Sequence, residues 1–300
     1  TRRGHPPHLA SIQVGENPAS RIYTNMQARA CESVGIDYEL VTLPDDISPD
    51  ELYARIGELN ADGRITGIIM QLPLPRHVDA RAVQQTIDPH KDVEGVHPQN
   101  MGMLFYGDGP VAPCTAMAAV KLIENTVPVL AGQEVVVVGH SEIMGKPVAA
   151  ILLQSPNSAP TVTVCHVATR DLAAHTRNAD ILVVATGVPQ VRWLAYKRRK
   201  KEHPETPLPD LSPLISPDMI KEGAVVVDVA INRIPKGFDE NGEPLKNKKG
   251  KTAMQTVGDV DYDACLEKAG AITPVPGGVG PVTVAMLLRN TVSCAKAMQW

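Results

Sequence analysis

Val135–Val138 is a run of valines that ends in Gly139, and Gly145, Lys146 and Pro147 follow before an apolar helical pattern. Glycines after a strand let the backbone approach a phosphate, and the next helix offers N–H donors and the positive end of its dipole. The spacing is Gly-x-x-x-x-x-Gly rather than G-x-G-x-x-G, and an ordinary strand-to-helix turn fits it too. Strand–helix units continue downstream, with Thr186-Gly187 closing the third strand, and they favour a dinucleotide at the carboxyl ends of these strands. His166, at another strand end, fits either the adenosine half of such a ligand or a capped loop. Asp92 and His97 fit structural roles, Asp259 fits the organiser of a turn, and Cys114 beside Thr115 fits packing.

Apolar runs alternating with helical patterns position these residues and read as α/β. Strands are expected at His8–Val14, Tyr38–Leu43, Thr66–Gln71, Glu134–Val138, Thr161–Cys165, Ile181–Ala185, Ala224–Val229 and Ala271–Ile272. Helices are expected at Ala19–Val34 (ended by Gly35), Ser48–Asn60, Cys114–Asn125, from the Gly145 region to Leu153, at Asp171–Asn178 and from Val282 to about Met298. Ser48-Pro49-Asp50-Glu51 supplies an N-cap, a first-turn proline and acids at the positive dipole end. Two stretches break the rhythm. Residues 191–214, with a basic run and several prolines, and 236–256, rich in Gly, Lys, Asn and Glu, read as long surface excursions, the second with the character of a hairpin.

Three hundred residues, 43% hydrophobic, suffice for two domains. A net charge of −4 gives no reason to expect nucleic acid. No apolar run is long enough to span a membrane, and residues 1–8 carry charge and proline rather than a signal-peptide core. Five widely spaced cysteines in apolar surroundings suit reduced thiols, and so a cytoplasmic or equivalent matrix compartment, with no metal site.

Across nearly the whole chain the motifs resemble the bifunctional methylenetetrahydrofolate dehydrogenase/cyclohydrolases. The matching segments are Val14–Ser20 with Tyr23, Gln71-Leu-Pro-Leu-Pro75, Lys91-Asp-Val-Glu-Gly95 and Pro113-Cys-Thr115. Gly139-His-Ser141 with Gly145-Lys-Pro147, Asp228–Arg233, Val257-Gly-Asp-Val260 and Ile272–Pro281 continue them in the family's order. The resemblance implies a pterin-binding catalytic domain (1–115 plus 273–300) and a Rossmann-like NAD(P) domain (116–272) facing across a cleft. It implies a reduced-pterin substrate held by Tyr23, Gln71, Pro73, Glu94 and the loop Pro276, Gly277, Gly278 and Val279, with Tyr23, Gln27, Gln71 and Glu94 as the catalytic set. It places the dinucleotide on Gly139, His140, Ser141, Gly145 and Pro147, then on His166, Val167, Ala185, Thr186 and Gly187, with Ile231 and Thr283. A homodimer is expected on the same ground. The family's first helix and strand start do not precede residue 1, so a truncated or late-starting chain is expected.

Five positions depart from the family pattern. Gln27 stands where the family has lysine, the centre of the cyclohydrolase step. An amide can position a ligand but does not usefully exchange a proton near neutral pH. Glu94 stands where the family has the aspartate that holds the pterin ring. His140 and Val167 occupy the positions of the arginine and serine that hold an NADP 2′-phosphate, which tilts the expectation from NADP towards NAD, with Arg170 near enough to alter it. Ala230 replaces a glycine on the cofactor wall.

The expected activity is oxidation of 5,10-methylene-tetrahydrofolate to the methenyl form with NAD(P), with cyclohydrolase activity weak or lost. A bifunctional enzyme is the alternative if Lys91 replaces the lost amine. Use of tetrahydromethanopterin would explain both Gln27 and Glu94, and a non-catalytic pterin- or nucleotide-binding protein is the rival from another class.

Overall fold

The computed structural model describes residues 5–15, 18–107, 109–154 and 158–298, with the side chains at 18–20 and 22 excepted. Glu16 and Asn17 of the Val14–Ser20 motif, and the start of the chain at 1–4, lie outside the described residues. The chain divides into two compact units, Thr1–Ala118 with Val282–Trp300, and Ala119–Pro281. The divisions fall at residues 119 and 282, where the sequence reading sets 116 and 273, so the Pro274–Pro281 string goes with the second unit.

In the first unit, β1 (His8–Val14), α1 (Pro18–Ser33), β2 (Asp37–Leu43), α2 (Pro49–Ala61) and β3 (Gly67–Met70) form a parallel sheet of order β2-β1-β3 with its crossover helices. Central β1 is buried along almost its whole length, as a strand covered on both faces must be. Leu52, Ile56 and Leu59 of α2 pack beneath it with Ile12, Ile68 and Val83. Full burial of each such side chain contributes about 1.5–3 kcal/mol. Ser48 and Glu51 close a reciprocal capping box on α2. Gly35, at φ +72°, turns the chain out of α1, where Ile36 N–H returns to Cys31 O at 3.0 Å. Residues 91–92 run beside β3, with Ile68 N–H bonded to Lys91 O at 2.7 Å. Two short helices that the pattern did not reveal follow, α3 (Ala80–Thr86) and α4 (Pro98–Tyr106).

From α5 (Cys114–Thr126) the chain enters the second unit with β4 (Glu134–Val138), α6 (Gly145–Leu152), β5 (Thr161–Cys165), α7 (Leu172–Thr176), β6 (Ile181–Val184) and α8 (Val188–Glu202). It continues with β7 (Val225–Asp228), β8 (Asn232–Pro235), β9 (Met254–Val257), α9 (Tyr262–Cys265), β10 (Ala271–Ile272) and α10 (Val279–Ala297). The parallel sheet has the order β5-β4-β6-β7-β10, so the chain leaves β4 towards one edge and returns to build the other. This is the doubly wound Rossmann-like topology with its switch point between β4 and β6.

One expectation is corrected. Val188–Glu202 is helical and takes in the first half of the supposed excursion 191–214. Trp193 and Tyr196, one turn apart, are buried against Ile234, Phe238 and Met254 of the hairpin built on β8 and β9. Lys200 ties the helix to that hairpin through Glu243 at 2.7 Å. The helix therefore has an apolar face, but its partner lies some forty residues further on. The last helix also starts at Val279 rather than Val282. All five cysteines are buried and unpaired, and no helix among the described residues is long and apolar enough to cross a membrane.

Candidate functional site

Polar side chains converge beside the first sheet, around the residue that follows β3. Gln71, the residue after β3, is held by a bond from its N–H to Ile12 O at 2.8 Å. Its Nε2 donates to Ser11 Oγ and to Gln27 Oε1, both at 3.0 Å. Tyr38 Oη donates to the same Gln27 oxygen at 3.5 Å. Ser11, Gln27 and Gln71 are buried. Four elements, β1, α1, β2 and the end of β3, thus supply one neutral network. Two donors on Oε1 fix the Gln27 amide and direct its NH2 edge elsewhere. Tyr23, one turn earlier on α1, is 44% exposed.

Glu94 accepts a hydrogen bond from the backbone of Met70, the residue before Gln71, so its carboxyl shares this strand end. The residue keeps a strip of surface open while its carboxyl is enclosed. Burial, then the nearby Asp92 charge, push its pKa up to about 8. The protonated acid therefore dominates at neutral pH in the free protein.

Lys91 does not join this cluster. Its Nζ donates to Leu59 O, Asn60 O and Asp62 O at 3.0, 2.7 and 2.8 Å, bonding carbonyls gathered at the end of α2. All three ammonium hydrogens are committed, and the alternative in which Lys91 replaces the missing amine is corrected. Asp92 is structural: it accepts from Gly95 N–H, His97 N–H and Asn100 Nδ2 at 3.0, 2.8 and 2.9 Å. His97 caps α4 through Gln99 N–H. Cys114 packs between Val93 O and Asn290 Nδ2.

In the second unit the residues gather at the switch point. Gly139 follows β4, Ala185-Thr186-Gly187 follows β6, and the two turns touch. A Cβ on Gly139, whose φ is +132°, would collide with the Ala185 carbonyl, and one on Gly145 would collide with the Gly139 carbonyl. Both positions are therefore closed to a side chain. α6 begins at buried Gly145 without a side-chain cap, as an anion-binding helix start does. His140 and Ser141 are exposed beside it, and Pro147 is buried. His166 follows β5, its ring 5.0 Å from that of His140, edge to face. Its Nδ1 accepts Ala168 N–H at 3.1 Å, a bond local to the loop. Val167 is 60% exposed.

Behind the turns lie two buried carboxylates. Asp259 Oδ2 accepts Thr186 N–H, Thr186 Oγ1–H and Gly187 N–H at 2.7, 2.6 and 2.9 Å. Its Oδ1 accepts Asn232 Nδ2 at 2.9 Å. Asp228 accepts Ala230 N–H and Val260 N–H at 3.1 and 2.8 Å, and burial raises its pKa to about 7. Ala230 is buried, whereas Ile231 is 51% exposed. Pro73 and Pro276 each follow a cis peptide bond. Pro276 and Gly277 are exposed, Gly278 N–H closes the loop onto Pro274 O at 2.9 Å, and Val279 is buried at the start of α10. Thr283, on α10, falls in the first unit.

Ser11 and Tyr38 escaped the sequence reading of the site. The signal was present for Ser11, a polar residue inside a strand that must be covered on both faces. For Tyr38, half-buried on an edge strand, there was none.

The family model of the tetrahydrofolate dehydrogenase/cyclohydrolase catalytic domain matches residues 1–94, and that of the corresponding NAD(P)-binding domain matches 113–194 and 211–299. A bifunctional protein FolD of Polynucleobacter asymbioticus is 45% identical over 99% of this chain and 89% of its own. The crystal structure of the bifunctional FolD dehydrogenase/cyclohydrolase of Campylobacter jejuni superposes with a TM-score of 0.80 at 40% identity, covering 99% of this chain and 90% of that one. The Trypanosoma brucei enzyme, complexed with NADP cofactor and inhibitor, gives 0.79 at 33% identity, covering 98% and 88%.

Proposed function

The chain belongs to the tetrahydrofolate dehydrogenase/cyclohydrolase family, and from that premise we propose that it oxidises 5,10-methylene-tetrahydrofolate to the methenyl form with NAD or NADP, with hydrolysis of the methenyl product weak or lost. The dehydrogenase half rests on the family and on the glycine-walled switch point. Gly139 and Gly145 leave backbone where a Cβ would collide, which fits the close approach of a pyrophosphate. Gly139, His140, Ser141 and Gly145 would hold the dinucleotide from one turn, and Ala185–Gly187 from the other. When bound, the dinucleotide supplies the hydride acceptor.

One observation carries the loss of hydrolysis: the Gln27 amide is fixed through its oxygen by Gln71 and Tyr38. Its NH2 edge can donate hydrogen bonds to a pterin but cannot take a proton from attacking water. Hydride transfer asks only that the carbon and its acceptor be held in register. Within the first unit, Tyr23, Gln71, Pro73 and Glu94 would hold the pterin. Assembly as a homodimer belongs to the same proposal and is checked by sedimentation.

The test is a spectrophotometric assay with each dinucleotide and with both methylene-tetrahydrofolate and methylene-tetrahydromethanopterin, with methenyl hydrolysis followed separately. Methenyl formation from the folate, with hydrolysis at the uncatalysed rate, is expected. Gln27→Lys should raise hydrolysis. Robust hydrolysis by the unaltered protein would overturn the second half of the proposal. Ligand binding without turnover of either carrier would establish a non-catalytic protein.

A further inference from the structure

Asp259 is 0% exposed and comes from a loop more than seventy residues beyond the turn it holds. Both its oxygens are engaged, Oδ2 by Thr186 N–H, Thr186 Oγ1–H and Gly187 N–H, and Oδ1 by Asn232 Nδ2. Asn232 is oriented in turn, because its Oδ1 accepts Gln190 N–H at 3.0 Å while its Nδ2 also donates to Gly258 O at 2.9 Å. Gln190 closes the circuit, accepting Arg233 N–H on its Oε1 at 2.6 Å. Every amide in this chain of bonds therefore has one permitted orientation, and it ends on the turn after β6. That turn is the surface against which Gly139 packs.

We propose that Asp259 is a positioning residue for the dinucleotide site: it fixes the Thr186-Gly187 turn, and through it the Gly139 turn, without touching the ligand. The proposal rests on the dehydrogenase reading of this unit and adds a residue to it. It also reassigns Thr186. The hydroxyl hydrogen goes to Asp259 and the oxygen receives Val188 N–H at 3.4 Å, so the side chain serves the turn. The two backbone N–H groups of this turn face the carboxylate, which makes the Gly139–Gly145 turn, at an uncapped helix start, the anion-binding one of the pair.

Asp259→Asn tests this. An amide that presents oxygen to Thr186 and Gly187 presents NH2 to Asn232 Nδ2, and Asn232 cannot reverse without opposing Gln190 N–H. A conflict remains in either orientation. Titration calorimetry with NADH and NADPH should show affinity for the dinucleotide that the unaltered protein prefers falling roughly tenfold, with the pterin KM within about twofold. Thr186→Val, which removes the hydroxyl and both its bonds, should weaken affinity in the same direction, and Thr186→Ser should recover most of that loss. The Asp259→Asn, Thr186→Val pair should lose less than the sum of the single effects. If Asp259→Asn does not fold, the two Thr186 variants carry the test. Dinucleotide affinity within twofold of the unaltered protein, with only a lowered Tm, would overturn the proposal and leave Asp259 a purely structural residue. An unaltered protein that binds neither dinucleotide would overturn the reading of the unit itself, and the proposal with it.

Discussion

In the first unit the candidate site is made of side chains: the Gln27 and Gln71 amides, the Ser11 hydroxyl, the Tyr38 phenol and the Glu94 carboxyl, brought together from separate elements. In the second it is made of backbone: two turns after β4 and β6 that touch through positions where no Cβ fits. The side chains around those turns, Asp259 and Asn232, face inward and brace them. The difference bears on how each site can change. A side-chain site can exchange one function for another at a single position, as is proposed for Gln27, and leave the fold intact. A backbone site tolerates almost no exchange at its glycines, but is indifferent to most of the side chains beside it.

The sharpest way to break this contrast is Gly145→Ala. The added methyl meets the Gly139 carbonyl, backbone that cannot rotate aside as a flexible side chain would. Forcing a methyl into such a space costs about 1–3 kcal/mol or more, so dinucleotide affinity should fall on the order of a hundredfold. Calorimetric titration measures it, and a loss of less than threefold would show that the turn is not the ligand's seat.

Next in size is Glu94→Gln, which asks whether the first unit's site depends on a charge. Burial holds the carboxyl at about 8 in the free protein. A pterin whose ring nitrogens donate to the carboxylate must bind the ionised form, so kcat/KM for the pterin should rise with pH up to about 8 and then level. Above that, replacing the charge-assisted bonds with an amide should cost roughly 1.5–3 kcal/mol, or about one to two orders of magnitude in kcat/KM. Below it the loss shrinks, and the variant's own profile should be flat across this range. Stability runs the other way. The folded value lies above the ordinary 4.5, so the native state binds more protons than the unfolded chain between about pH 4.5 and 8. The unaltered protein therefore loses stability as pH rises through that window, and Glu94→Gln should gain Tm relative to it at pH 9 compared with pH 5. Asp228, raised to about 7, adds the same slope to both proteins and cancels in the comparison. A variant with lower Tm at every pH and intact kcat/KM would remove Glu94 from the site.

The two regions also differed in how much could be read in advance. The backbone site was legible because its requirement is local: valines, a glycine turn and a helix start are adjacent in the chain, and glycine spacing records where a Cβ is forbidden. Gln27, Gln71 and Glu94 were legible only as members of family motifs. That Gln71 Nε2 and Tyr38 Oη converge on one oxygen is decided by packing between elements up to 44 residues apart, which no local pattern encodes. α8 was missed for the same reason, since its buried Trp193 and Tyr196 look isolated within a basic run until β8 and β9 supply the surface that covers them. The alternative that gave Lys91 the role of the missing amine rested on proximity in sequence. Lys91 stands three residues before Glu94, yet its side chain runs back to the end of α2.

The smallest effect sets the baseline for the largest. Gly57 lies in the interior of α2, exposed, with nothing within 4 Å of where a Cβ would be. Neither a ligand nor a turn is assigned to it, so its glycine is a plain entropic liability, worth about 0.5–1 kcal/mol against alanine in a helix. Gly57→Ala should therefore raise stability by about that amount, chiefly by restricting the unfolded chain, and leave dinucleotide and pterin kinetics unchanged. Denaturant unfolding should show a higher midpoint at an unchanged slope. The same one-methyl substitution is thus expected to stabilise one unit and disable the other's site, and the sign depends only on whether backbone stands where the methyl must go. If Gly57→Ala also lowered dinucleotide affinity, the loss in Gly145→Ala could no longer be credited to a collision within the switch point, and the separation between a side-chain site and a backbone site would fail at its simplest test.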